Sequence, residues 1–193
     1  DFKNNINTWY EEHQKGNLDA ILSNTSGCGT TMKDYGFIFR EDKELSKKAK
    51  VISELTKDIS EYIFESLKLD IKDKEKKYKV AYHSACSMQH GQKVHSQPIS
   101  LLEKTDNEIM EIPQGHICCG SAGTYNILHT DIAKKLLKQK VENINKVKPD
   151  FISTGNIGCM IQIANGIDIP IVHTVELIDW YTGGPKPRSL NSI

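Results

Sequence analysis

Four cysteines stand in the second half of the chain: Cys86, the adjacent pair Cys118 and Cys119, and Cys159. The pair opens the segment Cys118-Cys119-Gly120-Ser121-Ala122-Gly123, and Cys159 closes Thr154-Gly155-Asn156-Ile157-Gly158-Cys159. Thiolates are soft ligands suited to iron–sulfur clusters, zinc or Cu(I). Compact zinc and ferredoxin sites use Cys-x-x-Cys knuckles. Here 31 residues separate Cys86 from Cys118, and 39 separate Cys119 from Cys159. The ligands must therefore come from separate loops gathered at one end of a sheet. Adjacent cysteines do not easily bind one small tetrahedral ion together, but they reach different irons of a larger cluster. That favours an iron–sulfur cluster. Zinc, or a thiol redox or structural role, remains the alternative.

Gly120, Gly123 and Gly158 are the candidate cofactor-binding glycines. Small residues let backbone N–H groups approach an anionic cluster, and a following helix N-terminus adds positive potential. Such N–H···S bonds raise a cluster's reduction potential. A tight turn alone would also explain Gly120 and Gly123. His83, His90, His95 and His116 lie near the cysteines in sequence. Each could ligate or protonate a bound species, although each taken singly reads as a surface or satisfied core histidine. Tyr125 and Asn126 read as turn-packing residues, and Trp9 and Trp180 as core. Lys134, Lys135, Lys138 and Lys140 read as the wet face of their helix.

The elements that must present these residues alternate. Asp19–Ser26 reads as a buried strand running into Gly27-Cys28-Gly29 and a short helix. Residues 43–68 read as helical, with apolar positions three or four apart from Leu45 to Leu67. The charged run 70–79 is a solvated linker. Strands follow at 80–83, 108–112, 151–154 and 169–173, with helices starting at Pro98 and spanning about 130–147 and 175–181. This order implies an α/β fold with a mostly parallel sheet and helices on both faces. Residues 182–193 read as a flexible Gly/Pro-rich tail.

The chain has 193 residues, with 25 Lys plus Arg balanced by 25 Asp plus Glu. That balance gives no electrostatic reason to expect nucleic acid or an anionic membrane as partner. There is no apolar run long enough for a membrane span and no signal-peptide pattern. Five cysteines are an odd number and too few for a disulfide scaffold of this size, so a reducing, cytoplasmic setting is expected. The chain starts at Asp1, as expected of a processed protein or a fragment.

An internal duplication is visible. Asp19 to Cys28 lies on Asp150 to Cys159 without a gap, and Lys57–Ile63 resembles His173–Ile178. Two copies of one unit are expected. Residues 1–70 are the C-terminal part of a truncated first copy, and 79–181 form a complete second. Cys28 is then expected to be a metal ligand whose partners lie outside this chain. The alternative is a small buried residue.

These motifs resemble the cysteine-rich CCG domain of heterodisulfide reductases and related redox proteins. Within that family they look most like the C-terminal half of glycolate oxidase (glycolate dehydrogenase) iron–sulfur subunits. The resemblance rests on Tyr82-His83-x-x-Cys86, the run Cys118 to Asn126, Thr154-Gly155-Asn156-x-Gly158-Cys159-x-x-Gln162, and Val172-His173-x-x-Glu176-Leu177. In the first copy it rests on Ser26-Gly27-Cys28-Gly29 and Lys33-Asp34-Tyr35-Gly36. The wider pattern ends in Cys-x-x-Cys, whereas Gln162 holds the last position here, as it tends to in the glycolate oxidase branch. That puts a five-thiolate, non-cubane cluster in doubt. The resemblance implies a 4Fe-4S type cluster on Cys86, Cys118, Cys119 and Cys159, in a subunit that relays electrons from a flavin-containing subunit to a quinone or membrane acceptor. It implies a cytoplasmic protein, peripheral on the inner membrane. The chain has no Gly-x-Gly-x-x-Gly fingerprint of its own, so catalysis by this chain alone is not expected. Two rivals are a disulfide-reducing CCG module and a zinc-bound docking domain.

Overall fold

A computed structural model describes residues 2–193. The first half holds α1 (Phe2–Gln14), β1 (Ile21–Ser23), α2 (Ser26–Lys33), α3 (Tyr35–Ile38), α4 (Ser46–Leu55), β2 (Thr56–Asp58) and α5 (Ile59–Ser66). β1 and β2 pair in parallel. Ile6, Ile21, Tyr35, Leu45, Ala49 and Ile52 form their core. The helix expected over 43–68 is thus interrupted. Thr56 turns its hydroxyl back to the Ile52 carbonyl (2.7 Å), and the chain then extends for three residues to pair with β1. Asp58 restarts the helix with a capping box: Ser60 N–H donates to its Oδ1 (2.9 Å), and its own N–H donates to Glu61 Oε2 (3.1 Å). Tertiary pairing overrides a continuous helical period here. β1 is also shorter than the expected 19–26 strand, and Leu22 in its middle is exposed.

The second half holds β3 (Lys79–Tyr82), a π-helical turn (Ser87–Gln92), α6 (Ser96–Glu103), β4 (Glu108–Glu111), α7 (Tyr125–Leu128), α8 (Thr130–Val147), β5 (Phe151–Thr154), α9 (Ile157–Ala164), β6 (Ile171–His173) and α10 (Thr174–Tyr181). The four strands run parallel in the order β4-β3-β5-β6. Side chains alternate across the pleat. Val80 and Phe151 face a core built with Leu101, Leu102, Leu177 and Ile178. Ala81 and Ile152 face the other core, with Ile112, Ile144, Ile163, Cys119 and Cys159. The sheet is therefore buried on both faces, as an α/β architecture requires.

The two halves repeat one arrangement. Ile21 pairs with Thr56 as Ile152 pairs with Ile171, and Ser23 with Asp58 as Thr154 with His173. His173 caps α10 with Glu176 in a second capping box. α2 and the π turn then join the halves. Ser26 Oγ bonds Ser87 Oγ (2.7 Å) and accepts from Asn156 Nδ2 (2.6 Å), while Gln92 Nε2 donates to the Ser26 carbonyl (2.8 Å). A Cβ on Gly29 would stand 2.6 Å from Gln92 Nε2, and one on Gly91 would stand 2.6 Å from Thr30 Cγ2. Residues 182–193, expected as a flexible tail, instead carry a 3-10 turn at Arg188–Leu190, with Leu190 buried in the core that holds Val80 and Phe151. No helix among the described residues is long and apolar enough to cross a membrane.

Phe151 on the central strand is fully buried, so Phe151→Ala is expected to cost about 3–5 kcal/mol of unfolding free energy in urea titration. Asp58 gives a pH signature. Burial raises its carboxyl above the ordinary 3.8, an effect only partly offset by Ser60. A raised folded pKa contributes stability below the unfolded value and loses it as pH climbs through the folded one. Asp58→Asn keeps the capping oxygen without the charge, so its melting temperature relative to wild type should rise as pH climbs from the ordinary carboxyl value of 3.8 through the raised folded one. A parallel pair of melting curves over that window would refute the assignment.

Candidate metal centre

β3 sends the chain to β4 on one side, and β5 returns on the other side of β3. In an open parallel sheet the crevice at the carboxyl ends of such a diverging pair is where ligands bind. His83 N–H extends the ladder by donating to the Ser153 carbonyl (2.8 Å), so His83 stands at the mouth of that crevice. Cys86 follows it at the start of the π turn. Across the crevice, Asn156 caps α9 by accepting from the Cys159 N–H (3.1 Å), placing Cys159 in the first helical turn. The positive end of α9 thereby faces the thiol.

Cys118 and Cys119 arrive from the loop after β4. Gly120 has φ +95, and a Cβ there would stand 2.5 Å from the Ala133 carbonyl of α8. Only glycine lets the Cys-Cys-Gly turn lie against that helix. Gln162 buttresses the same turn: its Nε2 would be 3.2 Å from a Gly120 Cβ, and its Oε1 accepts from Asn126 Nδ2 (3.2 Å). Gly123 is exposed, and its φ of +64 is a backbone conformation that favours glycine. A Cβ on Gly158 would stand 3.0 Å from Ser121 Oγ, so this glycine lets α9 approach the turn.

The four thiols expected from the sequence come together. Cys119 and Cys159 are buried, and Cys86 and Cys118 are half-buried. Donor atoms of His83, Cys119 and Cys159 all lie within 4.8 Å of one another. Cys118 interacts with both Cys119 and Cys86, and Cys119 also with Cys159. The Gly120 N–H donates to Cys118 Sγ (3.3 Å), and the neighbouring N–H groups of Ser87 and Ser121 favour the charged forms of Cys86 and Cys119. Thiol hydrogen bonds from Cys119 and then Cys86 pull Cys118 down to about 2. The Cys119 thiol, and then the His83 ring, pull Cys159 down to about 5 against its burial. Cys86 and Cys119 move the other way, chiefly because each shares a proton with Cys118.

This donor set fits a metal or cluster. Cys119 has one proton for two sulfur neighbours. Both His83 ring nitrogens are buried without a hydrogen-bond partner, an arrangement that costs free energy unless a ligand completes it. His83 was legible as a candidate, but its burial was not. His90, His95 and His116 are exposed and do not join the cluster. Lys140, expected on the wet face of α8 beside the exposed Lys134, Lys135 and Lys138, is buried instead. The signal was its phase: it lies seven residues after Ala133 and four before Ile144, both buried. Cys28 sits in the first turn of α2 and is exposed, so it is not the small core residue of the alternative reading.

The cysteine-rich CCG domain family matches residues 80–164. The chain is 35% identical over 179 residues to the "Glycolate oxidase iron-sulfur subunit" of Escherichia coli (strain K12), covering 92% of this chain and 43% of that protein. It is 28% identical to the "Probable glycolate oxidase iron-sulfur subunit" of Bacillus subtilis (strain 168), over 83% of this chain and 38% of that protein. It is 26% identical to "Lactate utilization protein A" of Geobacillus sp. (strain WCH70), over 83% of this chain and 70% of that protein. The chain thus spans less than half the length of the two glycolate oxidase relatives. With the paired cysteines, their Gly-x-x-Gly turn and the third-strand and fifth-strand loops all in place, residues 80–164 are a cysteine-rich domain of the CCG family, in a chain similar to glycolate oxidase iron–sulfur subunits.

Proposed function

We propose that this chain is an iron–sulfur electron-transfer module of a 2-hydroxy-acid oxidase, with Cys86, Cys118, Cys119 and Cys159 holding a cluster of 4Fe-4S type. The observation that carries the reading is the convergence of four thiols, two of them adjacent, beside His83 at the switch point of the sheet, with the Gly120 N–H on Cys118. Such a cluster supplies reversible one-electron storage at a potential set by its hydrogen bonds and burial. The chain's residues do the rest. Cys119 and Cys159, in the core with Ile152 and Ile163, keep water from one side. Gly120 and Gly158 hold the turn and α9 close enough for the N–H groups to reach sulfur. Cys86 and Cys118 face the half-exposed side, where electrons arrive from a flavin-bearing partner and leave for a quinone-type acceptor. His83 stands within ligand range as a nitrogen donor. Cys28 is assigned to a second centre that other cysteines would complete. The parent complex would be cytoplasmic, peripheral on the inner membrane.

One observation favours a second reading, reduction of a small substrate beside the cluster. A cavity of about 590 Å³, lined by Ser84, Gln89, His95, Gln114, Gly115 and His116 among others, adjoins Cys86 and Cys118 in sequence. The buried Ser84 hydroxyl has no partner.

Metal and acid-labile sulfide analysis with a visible spectrum, on anaerobically prepared protein, separates these readings from zinc. Iron and sulfide in similar amounts are expected; zinc without sulfide would withdraw the electron-transfer reading. Cys119→Ser and Cys159→Ser should each abolish the visible absorbance, while Cys28→Ser should keep it. Intact absorbance in both of the first two variants would overturn the ligand set. Turnover of added disulfide by the loaded chain would select the second reading.

A further inference from the structure

α8 carries a buried cation that the ligand set does not use. Lys140 is 1% exposed. Its Nζ donates to the Gly115 carbonyl (3.1 Å) and reaches the Gln114 carbonyl (3.5 Å), both in the turn that delivers Cys118. No acidic side chain is among the groups that act on it. The negative groups that do are Cys119, Cys118, Cys159 and Cys86, in that order. An ammonium stripped of water and given only neutral carbonyls is costly to bury. Four thiolates around a cluster supply the missing counter-charge, and the cluster becomes more negative still when it takes an electron. Burial itself pushes the ammonium toward its neutral form, and the thiols oppose that.

We propose that Lys140 is the built-in counter-cation of the metal centre, stabilising the reduced cluster more than the oxidised one and so raising its reduction potential. The effect is electrostatic and separate from the tethering of the turn. Tethering is shared with Asn143 and Gln139, whose side-chain amides donate to Gln114 Oε1 (3.1 and 2.9 Å). In a low-dielectric surrounding one such charge outweighs several exposed ones.

This inference rests on the iron–sulfur reading, and the test keeps the two apart. The chain and its variants are loaded anaerobically with iron and sulfide, checked by circular dichroism, and titrated with dithionite against mediator dyes while visible absorbance is followed. Lys140→Met and Lys140→Gln should each lower the reduced-to-oxidised ratio at fixed potential about tenfold, about 59 mV for a one-electron couple. Lys140→Arg, which keeps the charge, should stay near wild type. Asn143→Ala, which loosens the turn without changing charge, should also stay near wild type. Should Lys140→Met fail to fold, Lys140→Gln carries the measurement. Equal potentials in wild type and both neutral variants would overturn the proposal alone. An Asn143→Ala shift as large as that of Lys140→Met would reduce Lys140 to a tether and overturn it too. A wild-type chain that takes up no iron or sulfide would remove the cluster reading and this inference with it.

Discussion

Parallel pairing of β3 with β5 governs the rest of the molecule. Val80, Ala81 and Tyr82 lie against Phe151, Ile152 and Ser153, and the chain leaves these strands toward opposite sides. A crevice opens where they part. His83 and Cys86 descend from one strand, and Asn156 and Cys159 from the other. Cys118 and Cys119 close the third side from the loop beyond β4. No segment brings two of the separated cysteines together by local spacing. Long-range strand pairing alone makes them neighbours, so the site exists only in the folded sheet.

The crevice concentrates groups that are mutually unsatisfied. Cys119 shares one proton between two sulfurs, His83 has no hydrogen-bond partner, and Lys140 lacks an acid. Several buried polar groups elsewhere are closely paired. Tyr181 and Tyr78 both find Asn107, and Ser153 finds Thr174. Buried polar groups in native proteins are mostly paired; Asp58 Oδ2, Gln92 Oε1 and Gln97 Oε1 break that rule as well, so what sets the crevice apart is that its thiols, imidazole and ammonium are groups one ligand could complete together.

Much of this was readable in the chain. The cysteine loops, the 130–147 helix, and the strands near 80 and 151 follow from residue types whose burial is one-sided and periodic. Other features did not follow. The extension of Thr56–Asp58 depends on the edge of β1, which a periodic pattern does not contain. The π turn after Cys86 depends on Ser87 and Gln92 meeting Ser26 from far upstream. Lys140 sits in phase with an apolar stripe, but a lysine's type argues for solvent more strongly than its phase argues for burial. The buried tail residue Leu190 was hidden by its Gly/Pro-rich surroundings. Each miss arose where a distant segment supplied the partner.

The contact of α2 with the π turn carries a mechanical consequence. At Gly29 and Gly91 the bare backbone of each segment meets a side chain of the other, and those side chains are held: Gln92 Nε2 by the Ser26 carbonyl, Thr30 Oγ1 by Ser26 and Ser87 carbonyls. A joint of that kind has no slack. A methyl group added at either glycine would overlap one of those side chains and disturb the bonds that hold it, so the fit of α2 against the π turn depends on two missing side chains. The seam between the two halves is therefore close-packed and cross-bonded, and α2 and the π turn locate each other by contact from both sides.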